Sequence, residues 1–154
     1  MMTVKKLKDD PKKMTIIRAA VFRDDTLAPS IEELELSGPG PGEVLVRLVA
    51  TGVCHTDLKV AGPSSMSPRP VVLGHEGAGI VEEVGAHIND LDIGDHVVMT
   101  FDSCGHCPSC LDAEPAVCHT VNSFSCTRPD GSHYLQGKGG PVHGGFFNQS
   151  SFAT

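Results

Sequence analysis

Four cysteines fall within the stretch DSCGHCPSCLDAEPAVC: Cys104, Cys107, Cys110 and Cys118, from a total of six in the chain. Thiolates at short spacing need a compensating positive charge, and four of them can wrap a tetrahedral Zn2+ with Zn–S bonds of about 2.3 Å. Gaps of three, three and eight residues let one loop supply every ligand, with Gly105 and Pro108 between ligands where the chain must fold back. Disulfides fit less well, because cysteines three apart pair only in a strained loop. A thioredoxin-type redox pair would use two cysteines inside a β-α-β pattern. Structural zinc is the favoured reading; disulfides and an iron–sulfur or redox role are the alternatives. A closed four-thiolate site has no open coordination position, so it holds a loop and performs no reaction.

A second constellation lies earlier in the chain. GVCHTD carries Cys54, His55, Thr56 and Asp57, and GHEGAG carries His75 and Glu76. A thiolate with an imidazole is part of a catalytic zinc site, which has three protein ligands and one exchangeable position. Thr56 follows so closely that its hydroxyl could pass a proton, and Asp57 could orient a ligand from behind. Taken alone, the bland alternative is stronger: Cys54 as an inert core residue and His75-Glu76 as a turn. GHEGAG is not a phosphate loop, since no three glycines in the chain satisfy the G-x-G-x-x-G spacing.

The elements that would position these groups read as strands and turns. The 154 residues include 17 glycines and 11 prolines spread along the chain, which points to short segments joined by tight turns and to a mainly β domain. Strands are predicted at Ile16–Phe22, around Leu34 and Leu36 alternating with Glu33 and Glu35, and over EVLVRLVA, with Val44, Val46 and Leu48 opposite Arg47. Further strands are predicted at Gly79–Val84 and at His96–Thr100, after a turn at Gly94-Asp95. SGPGPGE (Ser37–Glu43) is a turn, and His55–Ala61 is a short helix closed by Gly62-Pro63. Beyond Cys118 the chain is polar and glycine-rich up to the apolar FFNQSSFAT.

A formal net charge of −7 argues against nucleic acid or an anionic membrane as partner. No apolar run approaches the ~20 residues that span a bilayer. Residues 1–13 are charged and lack the apolar centre of a secretory signal, so they are expected to be a flexible tail before a domain over 14–154, in the cytoplasm, where structural disulfides are rare. The apolar ending Phe152-Ala153-Thr154 leads to the expectation that the chain continues.

GVCHTD, VLGHEGAGIVEEVG, GDHVV and CGHCPSC with Cys118 eight residues later, in this order, closely resemble the zinc-dependent medium-chain alcohol dehydrogenases over Met14 to Thr154. The resemblance implies a GroES-like irregular β-barrel with a zinc-stabilised loop lobe on Cys104, Cys107, Cys110 and Cys118. It implies a catalytic zinc on Cys54 and His75, with Glu76 able to approach or transiently ligate the metal. Thr56, Glu76 and His55 would be the catalytic residues, His55 also touching a cofactor phosphate. The implied activity is interconversion of alcohols with aldehydes or ketones using NAD or NADP, in an enzyme that is a homo-oligomer when complete. RPDGS and FFNQSSFAT look closest to an aryl-alcohol branch. Three departures follow. A second catalytic-site cysteine, which the family places in the segment leading to the cofactor domain, is not found, and Cys126 reads as a spare thiol. Lys59 stands where a relay histidine is common. The Rossmann cofactor domain is absent from these residues, so the 154-residue chain alone is expected to be inactive. A non-catalytic zinc-binding barrel and an interaction module are the rival functions.

Overall fold

A computed structural model describes residues 14–63, 65–120 and 126–154; the expected tail over 1–13 lies outside the described residues. The elements run β1 (Met14–Phe22), β2 (Ser30–Ser37), β3 (Val44–Thr51), α1 (His55–Ala61), β4 (Val71–Val72), β5 (Gly77–Val84) and β6 (His96–Val98). A short helix α2 (Pro108–Leu111), a 3-10 turn (Pro115–Val117), β7 (Leu135–Gly137) and β8 (Gly140–Val142) complete the order. None of the described helices is long and apolar enough to cross a membrane.

Two antiparallel sheets form, one in the order β4-β1-β2-β7-β8 and one in the order β3-β5-β6. In β1 and β2 the period-two pattern works as expected: Ala19, Val21 and Leu34 are buried, while Arg18, Glu33 and Glu35 face solvent. The register sets Ile17 opposite Leu34 and Val21 opposite Ser30. Ala19, Val21 and Leu34 make one apolar cluster with Val72, Leu135 and Val142. Each fully buried Val or Leu contributes about 1.5–3 kcal/mol relative to exposure. A second cluster gathers Phe22, Val60, Ala61, Val71, Leu73, Cys126 and Phe146 beneath α1.

The predicted helix and the first three strands appear where the pattern puts them. β5 starts two residues earlier than expected, and β6 ends at Val98, although the Met99 N–H still bonds the Gly77 carbonyl at 2.9 Å. The β3–β5 register shifts between Leu45 and Val46 and between Leu48 and Ala50. Such bulges bend a sheet into a curl. Gly79 faces this bend, and a Cβ there would overlap the Arg47 carbonyl and come 2.6 Å from Val46 Cγ1.

Two tertiary ties fix the periphery. The Arg128 guanidinium, 7% exposed, bonds both Glu43 carboxylate oxygens at 2.7 and 2.9 Å and the Ser37 hydroxyl at 2.9 Å. It also stands 4.3 Å from the centre of the Tyr134 ring, so the Ser37–Glu43 turn is locked to the approach to β7. At the other end of the fold, the Arg18 N–H bonds the Thr154 carbonyl at 3.0 Å, the Thr154 N–H bonds the Arg18 carbonyl at 2.8 Å, and Ala20 pairs with Phe152.

Candidate metal centres

The loop between β6 and β7 brings the sulfur atoms of Cys104, Cys107, Cys110 and Cys118 within 4.8 Å of one another. Cys104 and Cys110 sulfurs lie 3.9 Å apart, Cys107 and Cys110 3.5 Å, and Cys107 and Cys118 3.9 Å. The edge of a tetrahedron with 2.3 Å bonds is about 3.8 Å, so the donors already have the dimensions of a thiolate–zinc site. All six cysteines are free thiols in this structure. Gly105 takes a φ of 73° at the fold-back between the first two ligands, a region that glycine occupies at little cost.

Cys104, Cys110 and Cys118 depart from the ordinary thiol value in different directions. Backbone donors of Cys104 and Thr120 lower Cys118 to about 5, and the Thr120 hydroxyl with the His106 backbone lowers Cys104 to about 7. Desolvation and the Cys107 sulfur push Cys110 up to about 12. Four sulfurs so close cannot all carry charge without a cation, which is the condition that a divalent metal satisfies.

The second group forms where α1 begins and β4 gives way to β5. Ligand atoms of Cys54, His75 and Glu76 lie within 4.8 Å of one another. Cys54 caps α1: its sulfur accepts from the Thr56 N–H at 3.5 Å, and its own N–H bonds Asp57 Oδ2 at 3.0 Å. The Thr56 hydroxyl lies 3.6 Å from the Cys54 sulfur. Asp57 is 1% exposed, and its Oδ1 accepts from the Gly74 N–H at 3.1 Å and meets His75 Nδ1 at 3.0 Å. A carboxylate can only accept there, so Nδ1 carries the proton and the Nε2 lone pair is free for a ligand. Gly74, at φ 94°, turns the chain so tightly against Ser151 and Phe152 that no side chain fits. Gly52 similarly leaves room for Glu76, whose Oε2 a Cβ at that position would overlap.

The donors fit a divalent cation of the zinc type: a thiolate, an oriented imidazole and a carboxylate, with His75 buried and Glu76 exposed. His55 is exposed in the first turn of α1 and is not among the converging donors. Lys59 is likewise exposed in α1. Cys126 joins neither group; it is fully buried, and desolvation pushes its thiol up to about 11.

Aromatic rings that the motifs did not reveal surround His75. The Phe147 centroid lies 5.0 Å from the imidazole, Phe146 5.3 Å and Phe101 5.9 Å, and Phe101 and Phe147 stack at 4.6 Å. Gln149 is the other group that the motifs missed. It is buried and bonds the backbone on both sides of Glu76, and its only signal in the sequence is that it is one of two adjacent amides, Asn148 and Gln149, inside FFNQSSF. Two clefts of about 480 and 530 Å3 open elsewhere between the strands, and neither is lined by Cys54, His75 or Glu76.

The described residues thus form a curled β domain with two separate groups of metal-ligating side chains, one of four cysteines and one of Cys54, His75 and Glu76. Residues 40–150 match the family described as the alcohol dehydrogenase GroES-like domain, and the chain belongs to that family. A geraniol dehydrogenase from Castellaniella defragrans is 43% identical over 149 residues, covering 95% of this chain and 40% of that protein. The crystal structure of an alcohol dehydrogenase zinc-binding domain protein from Burkholderia ambifaria superposes with a TM-score of 0.88 at 46% identity, covering 92% of this chain and 39% of that one. Benzyl alcohol dehydrogenase from Acinetobacter calcoaceticus gives a TM-score of 0.82 at 42% identity, over 91% and 38% of the two chains. The chain therefore spans about two-fifths of the length of these relatives.

Proposed function

We propose that the chain is the catalytic-domain portion of a zinc-dependent alcohol dehydrogenase of the cytoplasm, which interconverts alcohols and aldehydes with NAD or NADP. The observation that carries this reading is the convergence of Cys54, His75 and Glu76, with His75 Nδ1 held by buried Asp57. When bound, zinc supplies Lewis-acid polarisation of the alcohol oxygen, and the nicotinamide cofactor takes the hydride.

The chain's own residues do the rest. Cys54, His75 and Glu76 would hold the metal, and Cys104, Cys107, Cys110 and Cys118 would hold the second zinc, in the lobe. Thr56, its hydroxyl 3.6 Å from the Cys54 sulfur, would relay the alcohol proton, Oγ1 accepting it as its own O–H proton passes to water. Asp57 keeps the imidazole in one tautomer and one orientation. His55, exposed at the start of α1, is free to meet a cofactor phosphate. The stacked Phe101 and Phe147 rings offer a flat apolar wall beside His75, which suits a planar unsaturated carbinol. Two of the relatives are named for geraniol and for benzyl alcohol, which supports the same substrate class.

The test measures NAD(P)-dependent oxidation of benzyl alcohol by the full-length protein that contains this chain, beside its Cys54→Ser variant. Turnover that Cys54→Ser abolishes supports the reading. Zinc binding without turnover would instead favour a non-catalytic zinc-binding barrel.

A further inference from the structure

Gln149 is 7% exposed and sits where three backbone segments meet. Its Nε2 donates to the His75 carbonyl at 2.9 Å and to the Thr100 carbonyl at 3.1 Å, and its Oε1 accepts from the Gly77 N–H at 3.2 Å. Both amide hydrogens and the amide oxygen are therefore used. Turned over, the amide would set its oxygen against two carbonyls and its NH2 against an N–H, so the network admits one orientation.

The groups that Gln149 grips are specific ones. The His75 carbonyl and the Gly77 N–H flank Glu76, so the amide fixes the peptide planes on both sides of that carboxylate. Thr100 immediately precedes Phe101, whose ring stands 5.9 Å from the His75 ring. The turn that delivers Gln149 is itself strained: Phe147 and Asn148, neither of them glycine, take φ values of 50° and 63°. Left-handed backbone at consecutive non-glycine residues is uncommon and persists where the surroundings over-determine it. Here the turn is held by the Asn148 N–H on the Gly145 carbonyl at 2.8 Å and by the Gly145 N–H on the Ser150 hydroxyl at 2.9 Å.

We propose that Gln149 is the positioning residue of the Cys54–His75–Glu76 centre: its side-chain amide clamps the backbone on either side of Glu76 and so sets the donor geometry. The proposal rests on the reading above that these three residues bind a divalent metal. It goes further by assigning a role to a side chain 74 residues from His75 that donates nothing to the metal itself. A merely structural cross-link would affect the stability of the whole domain. A positioning residue affects one metal site and spares the other, and the four-cysteine lobe is the internal control.

The experiment titrates Co2+ and then Zn2+ into the metal-free chain, resolving the two sites by their cobalt spectra and by competition with a chromophoric chelator. Gln149→Met keeps the length of the side chain and removes all three hydrogen bonds. It is expected to weaken the Cys54–His75–Glu76 site about tenfold or more while the lobe retains one metal at unchanged affinity. Gln149→Glu keeps an acceptor for the Gly77 N–H and loses both donors, and it is expected to show the same selective loss in a chain of nearly native shape. The inference is overturned if either folded variant binds the second metal as tightly as the native chain, whatever happens to its Tm. A native chain that takes up only one metal would overturn the underlying reading, and this inference with it.

Discussion

Asp57 links two of the three donors of the open centre from behind. One buried carboxylate receives the Cys54 N–H, the Gly74 N–H and the His75 Nδ1–H, and so ties together the positions of two donors. Asp57→Asn keeps the shape but must turn an NH2 group toward one of those donors. It is expected to weaken metal binding at this centre about 10- to 100-fold, measured by chelator competition, with the lobe unaffected. Thr56→Val tests the proton path: in the full-length enzyme it is expected to lower kcat about 100-fold with little change in KM. Thr56 and Asp57 were legible because they lie beside Cys54, and neighbours on a short helix share its space. Gln149 was not. An amide has no spacing rule, and its partners His75, Gly77 and Thr100 lie about fifty to seventy-four residues away in sequence.

Among the elements, those with a full period-two run declared themselves, and those without one did not. β1 and β2 are nine and eight residues long, and their alternation survives in the burial pattern. β7 and β8 have three residues each, too few to show any period, so the glycine-rich stretch around them hid a hairpin. The curl of the β3–β5 pair depends on Gly79, where added atoms would run into the Arg47 carbonyl. Gly79→Ala is expected to destabilise the domain by about 1–3 kcal/mol in urea unfolding, because backbone rather than a movable side chain is in the way.

One histidine beside a strand end, His143, couples the fold to pH. His143 leaves β8 to bond the Pro70 carbonyl through its N–H, and its ring meets the His133 ring edge-on at 4.7 Å. Desolvation first, then the neighbouring His133, holds His143 below its ordinary 6.5. The unfolded chain therefore binds its proton more readily, so stability is full above about pH 6.5 and declines as pH falls below that value. His143→Gln is expected to flatten the acid side of a Tm-against-pH curve, and an unchanged slope would show that other groups set it.

At the scale of the whole molecule, the sheets and the lobe are stabilised by different means. The sheets enclose apolar clusters, whereas in the lobe Leu111 is 72% and Val117 59% exposed, and Cys107 is its buried apolar residue. A loop with so little apolar burial among its described residues would depend on a bound metal for order. Stripping zinc with a strong chelator is expected to open residues in the 101–120 range to protease while the β1–β2–β7 sheet stays intact, as read by mapping the first cleavage sites. The convergence of the four lobe cysteines and the family were readable from cysteine spacing and motif order. The path of the chain through two sheets was not, because strand partners are set by long-range packing that no local pattern encodes.

The antiparallel stitching of Phe152–Thr154 onto Arg18 and Ala20 has a consequence for synthesis. β1 must wait for partners made more than 130 residues later, so during synthesis part of one edge of β1 stays open until Phe152–Thr154 arrive. Closing that edge is a contact of large sequence separation, so it forms late and slowly compared with the β1–β2 pairing.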